Sequence, residues 1–179
     1  MSKWSKKTFK IDGPFPFKTR PGNNAFVANR GDVYFEIPNT WVIKPKDDLF
    51  AFYDKEPPDD SCCMEMSVRH LNLQINWDGV PLGEILLKTA QVDRGEAFRT
   101  DVHEIKRANL HIAWMEDHFI PNNEPRPAIS RWMIAKSFDV LPFFTFNFWK
   151  DDFEMADKFW TNLLETLRLA EGIGFRTRN

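Results

Sequence analysis

The chain has 179 residues, 28% charged and 42% hydrophobic, with a formal net charge of −2. That length suits one domain with a real core rather than two, and the near-neutral balance gives no bulk reason to expect a nucleic acid partner. A membrane-spanning helix needs roughly 20 successive apolar residues, and the sequence contains no such run. Aromatics are high at 15%, with 17 Phe and 7 Trp against 2 Tyr. Phe has no polar handle, so most of this surplus belongs in a core.

The start, Met1 to Lys7, is basic, but no apolar run follows it. No secretory signal is expected, and a cytoplasmic location is the default unless a leader has been removed. Residues 1 to 24, rich in Pro, Gly, Asn and Lys, read as an extended arm, pinned through Phe9, Phe15 and Phe17. Residues 25 to 179 read as a single domain.

Ala25 to Ala28 is a short strand. Asn29-Arg30-Gly31 supplies a turn, with Gly31 free to take positive φ. Asp32 to Ile37 alternates, with Val33, Phe35 and Ile37 on one face, and predicts a half-buried strand. Pro38-Asn39-Thr40 breaks it before Trp41-Val42-Ile43. Leu49 to Tyr53 is a further strand. Lys55 to Asp60 is a loop, because Pro57 and Pro58 cannot donate to a ladder. Cys62 to His70 alternates again, and the apolar set shifts at Leu71, so a bulge or strand end is expected near His70.

Pro81 opens a helix, with Leu82, Ile85, Leu86 and Ala90 on one face. Asp93 to Glu96 ends it. Thr100 to Lys106 and Asn109 to Phe119 read as a hairpin, with Leu110, Ile112 and Trp114 opposite His111, Ala113 and Met115. Ile129 to Phe138 and Phe143 to Trp149 are strands. The second carries aromatics on both faces, which predicts a central position. The terminal helix has Asp151 as N-cap and Glu154 three residues on. Its stripe is Phe153, Ala156, Trp160, Leu163, Leu164 and Leu167, and Gly172 is placed to stop it.

The order of elements resembles the PsbP-like superfamily, the fold group of the photosystem II extrinsic protein and a Ran-binding nuclear import factor. Three pieces carry the resemblance. One is the strand, proline, tryptophan run from Val33 to Trp41. Another is the helix from Pro81 to Gln91 after the long Cys62 to Leu73 strand. The last is the terminal helix with Phe159-Trp160 and Leu163, Leu164 and Leu167. The match covers residues 25 to 170. It implies a central antiparallel sheet flanked by helices, and docking to a protein rather than catalysis. No binding motif of the group stands in this chain, so no functional residue carries over. Bacterial members are often secreted or lipid-anchored, which leaves the compartment open.

The residues themselves offer little chemistry. No serine sits in a nucleophile elbow and no Gly-rich phosphate loop is present. Cys62 and Cys63 are adjacent, so they point to opposite faces of a strand and read as two free thiols in a reducing compartment. His103, His111 and His118 lie in or near the hairpin beside Glu104, Glu116 and Asp117. His111 shares parity with Asp117, and His118 with Glu116, which argues against one metal site. No metal, cofactor or catalytic residue is therefore assigned.

The expected fold is α+β: a central antiparallel sheet of about six strands flanked by helices, with a long C-terminal helix packed on one face. The expected function is a non-catalytic interaction module with an unknown protein partner, and a homodimer through a sheet edge is compatible with it. Asp54, Glu56, Asp59 and Asp60, in an acidic proline-stiffened loop, are the candidate partner-binding residues. The alternative is a small-molecule binder or enzyme with a cavity between sheet and helix, lined by His111, Trp114, Trp132, Phe144 and Phe146.

Overall fold

A computed structural model describes residues 18–90, 97–122 and 124–170. The expected arm falls outside the described residues up to residue 17. In chain order the strands are β1 (Asn23–Ala28), β2 (Val33–Pro38), β3 (Val42–Pro45), β4 (Leu49–Tyr53), β5 (Cys62–His70), β6 (Phe98–Arg99), β7 (His103–Arg107), β8 (Leu110–Phe119), β9 (Ala128–Lys136), β10 (Val140–Trp149) and β11 (Arg168–Leu169). The helices are α1 (Leu82–Thr89) and α2 (Phe153–Thr166). No helix among the described residues is long and apolar enough to cross a membrane.

The fold is α+β and antiparallel, but the expected single sheet of about six strands is corrected. The large sheet has eight strands in the order β3-β4-β5-β10-β9-β8, with β6 and β7 both paired along the outer side of β8. A second sheet of three strands runs β1-β2-β11. The short strands escaped sequence reading for a physical reason. β6 and β11 have two residues each, which is too few to show a period.

β10 lies between β5 and β9, as its two aromatic faces suggested. On one face of the large sheet Phe144, Phe146 and Met64 pack against Trp160, Leu163 and Phe159 of α2. The small sheet completes this layer, with Phe26 and Phe35 against Phe52 and Phe144. On the other face Leu82 and Leu86 of α1, with Ala90 just after it, cover Ala113, Met115, Trp132 and Ile134.

β2 is buried on both faces rather than half-buried. It is the middle strand of the small sheet, and its polar residue finds partners there. The Glu36 carboxylate accepts hydrogen bonds from the Arg20 backbone N–H and Asn23 Nδ2. Its own N–H donates to Thr166 Oγ1 of α2 at 3.1 Å. β5 ends at His70, which accounts for the apolar shift at Leu71.

α2 departs from its expected ends. A 3₁₀ turn over Lys150–Asp152 leads into it, and no side chain caps it. Asp151 instead faces Arg126 Nε at 3.3 Å. Phe153 lies on the exposed side, while Phe159 joins the buried stripe. The helix stops at Thr166 because Leu167 turns to extended backbone and β11 pairs with β2. α1 likewise closes at Thr89 with Ala90 as its C-cap, so both helices end before the expected stops at Gly172 and over Asp93 to Glu96, positions that lie outside the described residues.

Candidate functional site

The site is built from one cross-strand row. Lys106 of β7 stands opposite His111 of β8, and His111 stands opposite Lys136 of β9. Directly opposed residues of antiparallel strands project on the same side of the sheet. Three basic side chains from three strands therefore share one face.

β9 then turns back into β10 through a tight hairpin. Ser137 and Val140 exchange backbone hydrogen bonds at 3.1 and 2.9 Å. Phe138, at the tip, has φ +50° and is 59% exposed. Residues 71–81 wall the opposite side. Their path is held by Leu71 N–H on the Asp139 carbonyl at 2.7 Å. Asn72 and Asn76 side-chain oxygens accept N–H bonds from Gln74 and Asp78 two residues on, the local turn chemistry asparagine favours. The indole of Trp77 donates to the Asn72 carbonyl at 2.8 Å.

Between this wall and the hairpins lies an open cleft of about 1130 Å³, with Lys106, His111 and Lys136 in its lining beside Leu73, Ile75 and Phe138. Leu73 is 78% exposed and Ile75 52%. The charges are unevenly satisfied. Glu104 Oε2 lies 3.2 Å from His111 Nε2 and 3.3 Å from Lys106 Nζ. Hydrogen bonds from His111 and then Lys106 hold its carboxyl below the usual carboxylate range. Gly83 of α1 comes close behind Glu104, since an added Cβ there would meet its Oε1 at 3.2 Å. Arg107 is engaged elsewhere, donating to the Leu164 carbonyl at 2.8 Å. Lys136 is half-buried and has no carboxylate partner among the described residues.

Of the expected acidic loop, Asp54 accepts the Ser61 and Cys62 N–H groups, each at 2.9 Å, and so fastens the start of β5. Glu56 pairs with Lys44. Asp59 is exposed and Asp60 half-buried. The loop stands at the opposite end of β5 from the cleft. The five expected cavity residues do not converge on one space. Trp114, Phe144 and Phe146 face α2, and the two phenylalanines are fully buried there with Trp160. Trp132 packs on the other face beneath α1, and His111 opens into the cleft. A second cleft of about 660 Å³ is lined by Trp41 and Phe159, whose rings stack at 4.3 Å.

Two buried ion clusters were invisible in the sequence. Arg131 donates to Glu116 and Asp157, both at 2.8 Å, and is 2% exposed. Asp117 accepts two bonds from Arg99, at 2.6 and 2.9 Å, and one from the Trp132 indole at 3.1 Å. Each joins residues far apart in sequence. Only strand register and packing reveal them. His118 pairs with Glu116 at 2.9 Å, on the opposite face from His111. No group of three metal-ligating side chains forms among the described residues. Cys62 and Cys63 are free thiols. Burial, reinforced by Glu65, pushes the Cys63 thiol up to about 11, and burial raises Cys62 further, so neither is a ready thiolate nucleophile at neutral pH.

The Alr1449 family profile matches residues 24–173. The uncharacterized protein alr1449 of Nostoc sp. is 33% identical over 168 residues, covering 93% of this chain and 87% of its own length. Among solved structures, cyanobacterial PsbP (CyanoP) from Synechocystis superposes with a TM-score of 0.61 at 8% identity, covering 88% of this chain and 98% of its own. The Ran-binding protein Mog1p of Saccharomyces cerevisiae gives 0.51 at 6% identity, covering 82% and 95%. The chain spans about half, 48%, of a Bacteroides thetaiotaomicron structure with a TM-score of 0.57 and 15% identity, which covers 83% of this chain. At such identities the structural likeness concerns the fold alone. The chain has the PsbP-like fold and belongs to the Alr1449 family.

Proposed function

We propose that the chain is a non-catalytic protein-docking module that receives its partner in the cleft between residues 71–81 and the β7–β9 surface. Phe138 carries this reading. It occupies a hairpin tip in the left-handed region, where Gly or Asn is favoured and another residue costs about 1–2 kcal/mol. Its ring does not repay that cost in the core, because 59% of the residue is exposed. Strain held at an exposed aromatic beside a cleft points to binding rather than folding. Leu73 and Ile75 extend the apolar rim, and such exposed apolar clusters mark contact surfaces. The fold neighbour Mog1p, described as a Ran-binding protein, supports docking as a use of this fold. The free thiols Cys62 and Cys63 support a reducing compartment such as the cytoplasm.

The test is site-specific photocrosslinking in the native host, with a photoreactive phenylalanine at position 138. The expected result is one discrete protein adduct that is lost when Leu73→Ser is added. An adduct between two copies of the chain would identify the partner as the chain itself. Absence of an adduct, or adducts indifferent to Leu73, would contradict the proposal.

A further inference from the structure

Resting on that docking reading, we infer the chemistry of the partner: an acidic, apolar peptide segment, with carboxylates over the Lys106–His111–Lys136 row and apolar side chains against Leu73, Ile75 and Phe138. The cleft lining combines the basic Lys106, His111 and Lys136 with the apolar Leu73, Ile75 and Phe138. Lys106 and His111 already share Glu104. Lys136 is half-buried and lacks a carboxylate partner among the described residues, beside the exposed ring of Phe138.

A partner that covers Lys136 removes its remaining water. A covered ammonium without an acceptor is costly, so a basic segment is rejected and a neutral one is disfavoured. A carboxylate of the partner supplies a charge-assisted hydrogen bond at that point. The other charges at the cleft do not fill this role. Glu104 is held by His111 and Lys106. Arg107 is directed at the carbonyls that end α2. Asp78 lies on the loop wall and forms no ion pair among the described residues.

The experiment pans a random peptide library displayed on phage against the wild-type chain, then measures the selected peptides on variants by fluorescence anisotropy. The expected peptides combine Asp or Glu with Leu, Ile or Phe. Their affinity drops by about tenfold or more on Lys136→Glu, the range for a desolvated charge pair, and falls also on Phe138→Asn. Lys136→Gln, which keeps the side-chain length, shows an intermediate loss, and circular dichroism establishes that each variant is folded. Peptides that depend on Phe138 but carry no acid and bind Lys136→Glu unchanged would overturn this inference and leave the docking reading standing. Peptides indifferent to both positions, or no selected peptide, would overturn both.

Discussion

Strand β9 carries two cations five residues apart, and they have opposite fates. Arg131 points toward α2 and is closed in. Its guanidinium meets Glu116 and Asp157 at 2.8 Å, and the rings of Trp114, Phe148, Phe153 and Trp160 lie 5.3 to 5.8 Å from it. Lys136 points the other way and meets the open cleft. Both are basic residues of one strand, and only the surroundings separate them. Arg131 offers a planar fork suited to two carboxylates at once and a face suited to aromatic rings. Lys136 offers a point charge with no carboxylate partner among the described residues. The first is an internal fastening of the fold. The second is the charge that the proposed docking reading assigns to a partner.

The sharpest break in that comparison is Arg131→Ala. It leaves the largely buried Glu116 carboxylate without its guanidinium, beside a half-exposed Asp157, and removing one member of a buried ion pair costs about 3–5 kcal/mol. Urea unfolding should show the loss in the midpoint. Trp160→Ala, which removes the fully buried ring beside that guanidinium, should cost a similar ~3–5 kcal/mol through the cavity it leaves.

The acid side of the same cluster gives a pH signature. Burial alone would raise the Glu116 carboxyl, but hydrogen bonds from Arg131 and His118 outweigh it and hold it below the usual range. A carboxyl held low in the fold stabilises it fully above its unfolded value, about 4.3, and that contribution is lost as pH falls through the lower folded value. Thermal melts should therefore drop below about pH 4.3, and Glu116→Gln should flatten that drop while lowering stability at neutral pH.

The cleft end should behave in the reverse sense. Phe138→Asn relieves a left-handed phenylalanine and should raise stability by about 1 kcal/mol while weakening peptide binding. A variant that is more stable and less competent is the signature of strain kept for function. Lys136→Ala should leave the unfolding midpoint almost unmoved, within about 0.5 kcal/mol. A large destabilisation there would place Lys136 with Arg131 as a fastening of the fold.

These two ends of β9 also show where sequence reasoning reached and where it stopped. The long strands were legible because alternation survives over nine or ten residues, as in β5 and β10. The aromatic loading of β10 gave its central place. The third strand of the small sheet was not legible, since Arg168 and Leu169 of β11 fall before the expected helix stop at Gly172. α2 ends early because pairing with β2 competes with a further helical turn, and no local pattern records that competition. His111 was picked out by residue type, but the residues that give it a site were not. Lys136 joins it only through the register of β8 and β9, and Phe138 reaches the cleft only through a turn conformation. Asp117 was read with the correct parity, whereas Arg99, eighteen positions away, became its partner through the β6–β8 pairing.

The most direct test of the account is an amide NMR titration of the wild-type chain with an acidic, apolar peptide taken from the library selection. The expected shifts are confined to residues 71–81, 106–111 and 136–138 and saturate together. Shifts centred instead on Asp54 to Asp60, or around Trp41 and Phe159, would show that the partner docks elsewhere and would contradict the separation of β9 into a fastening end and a binding end.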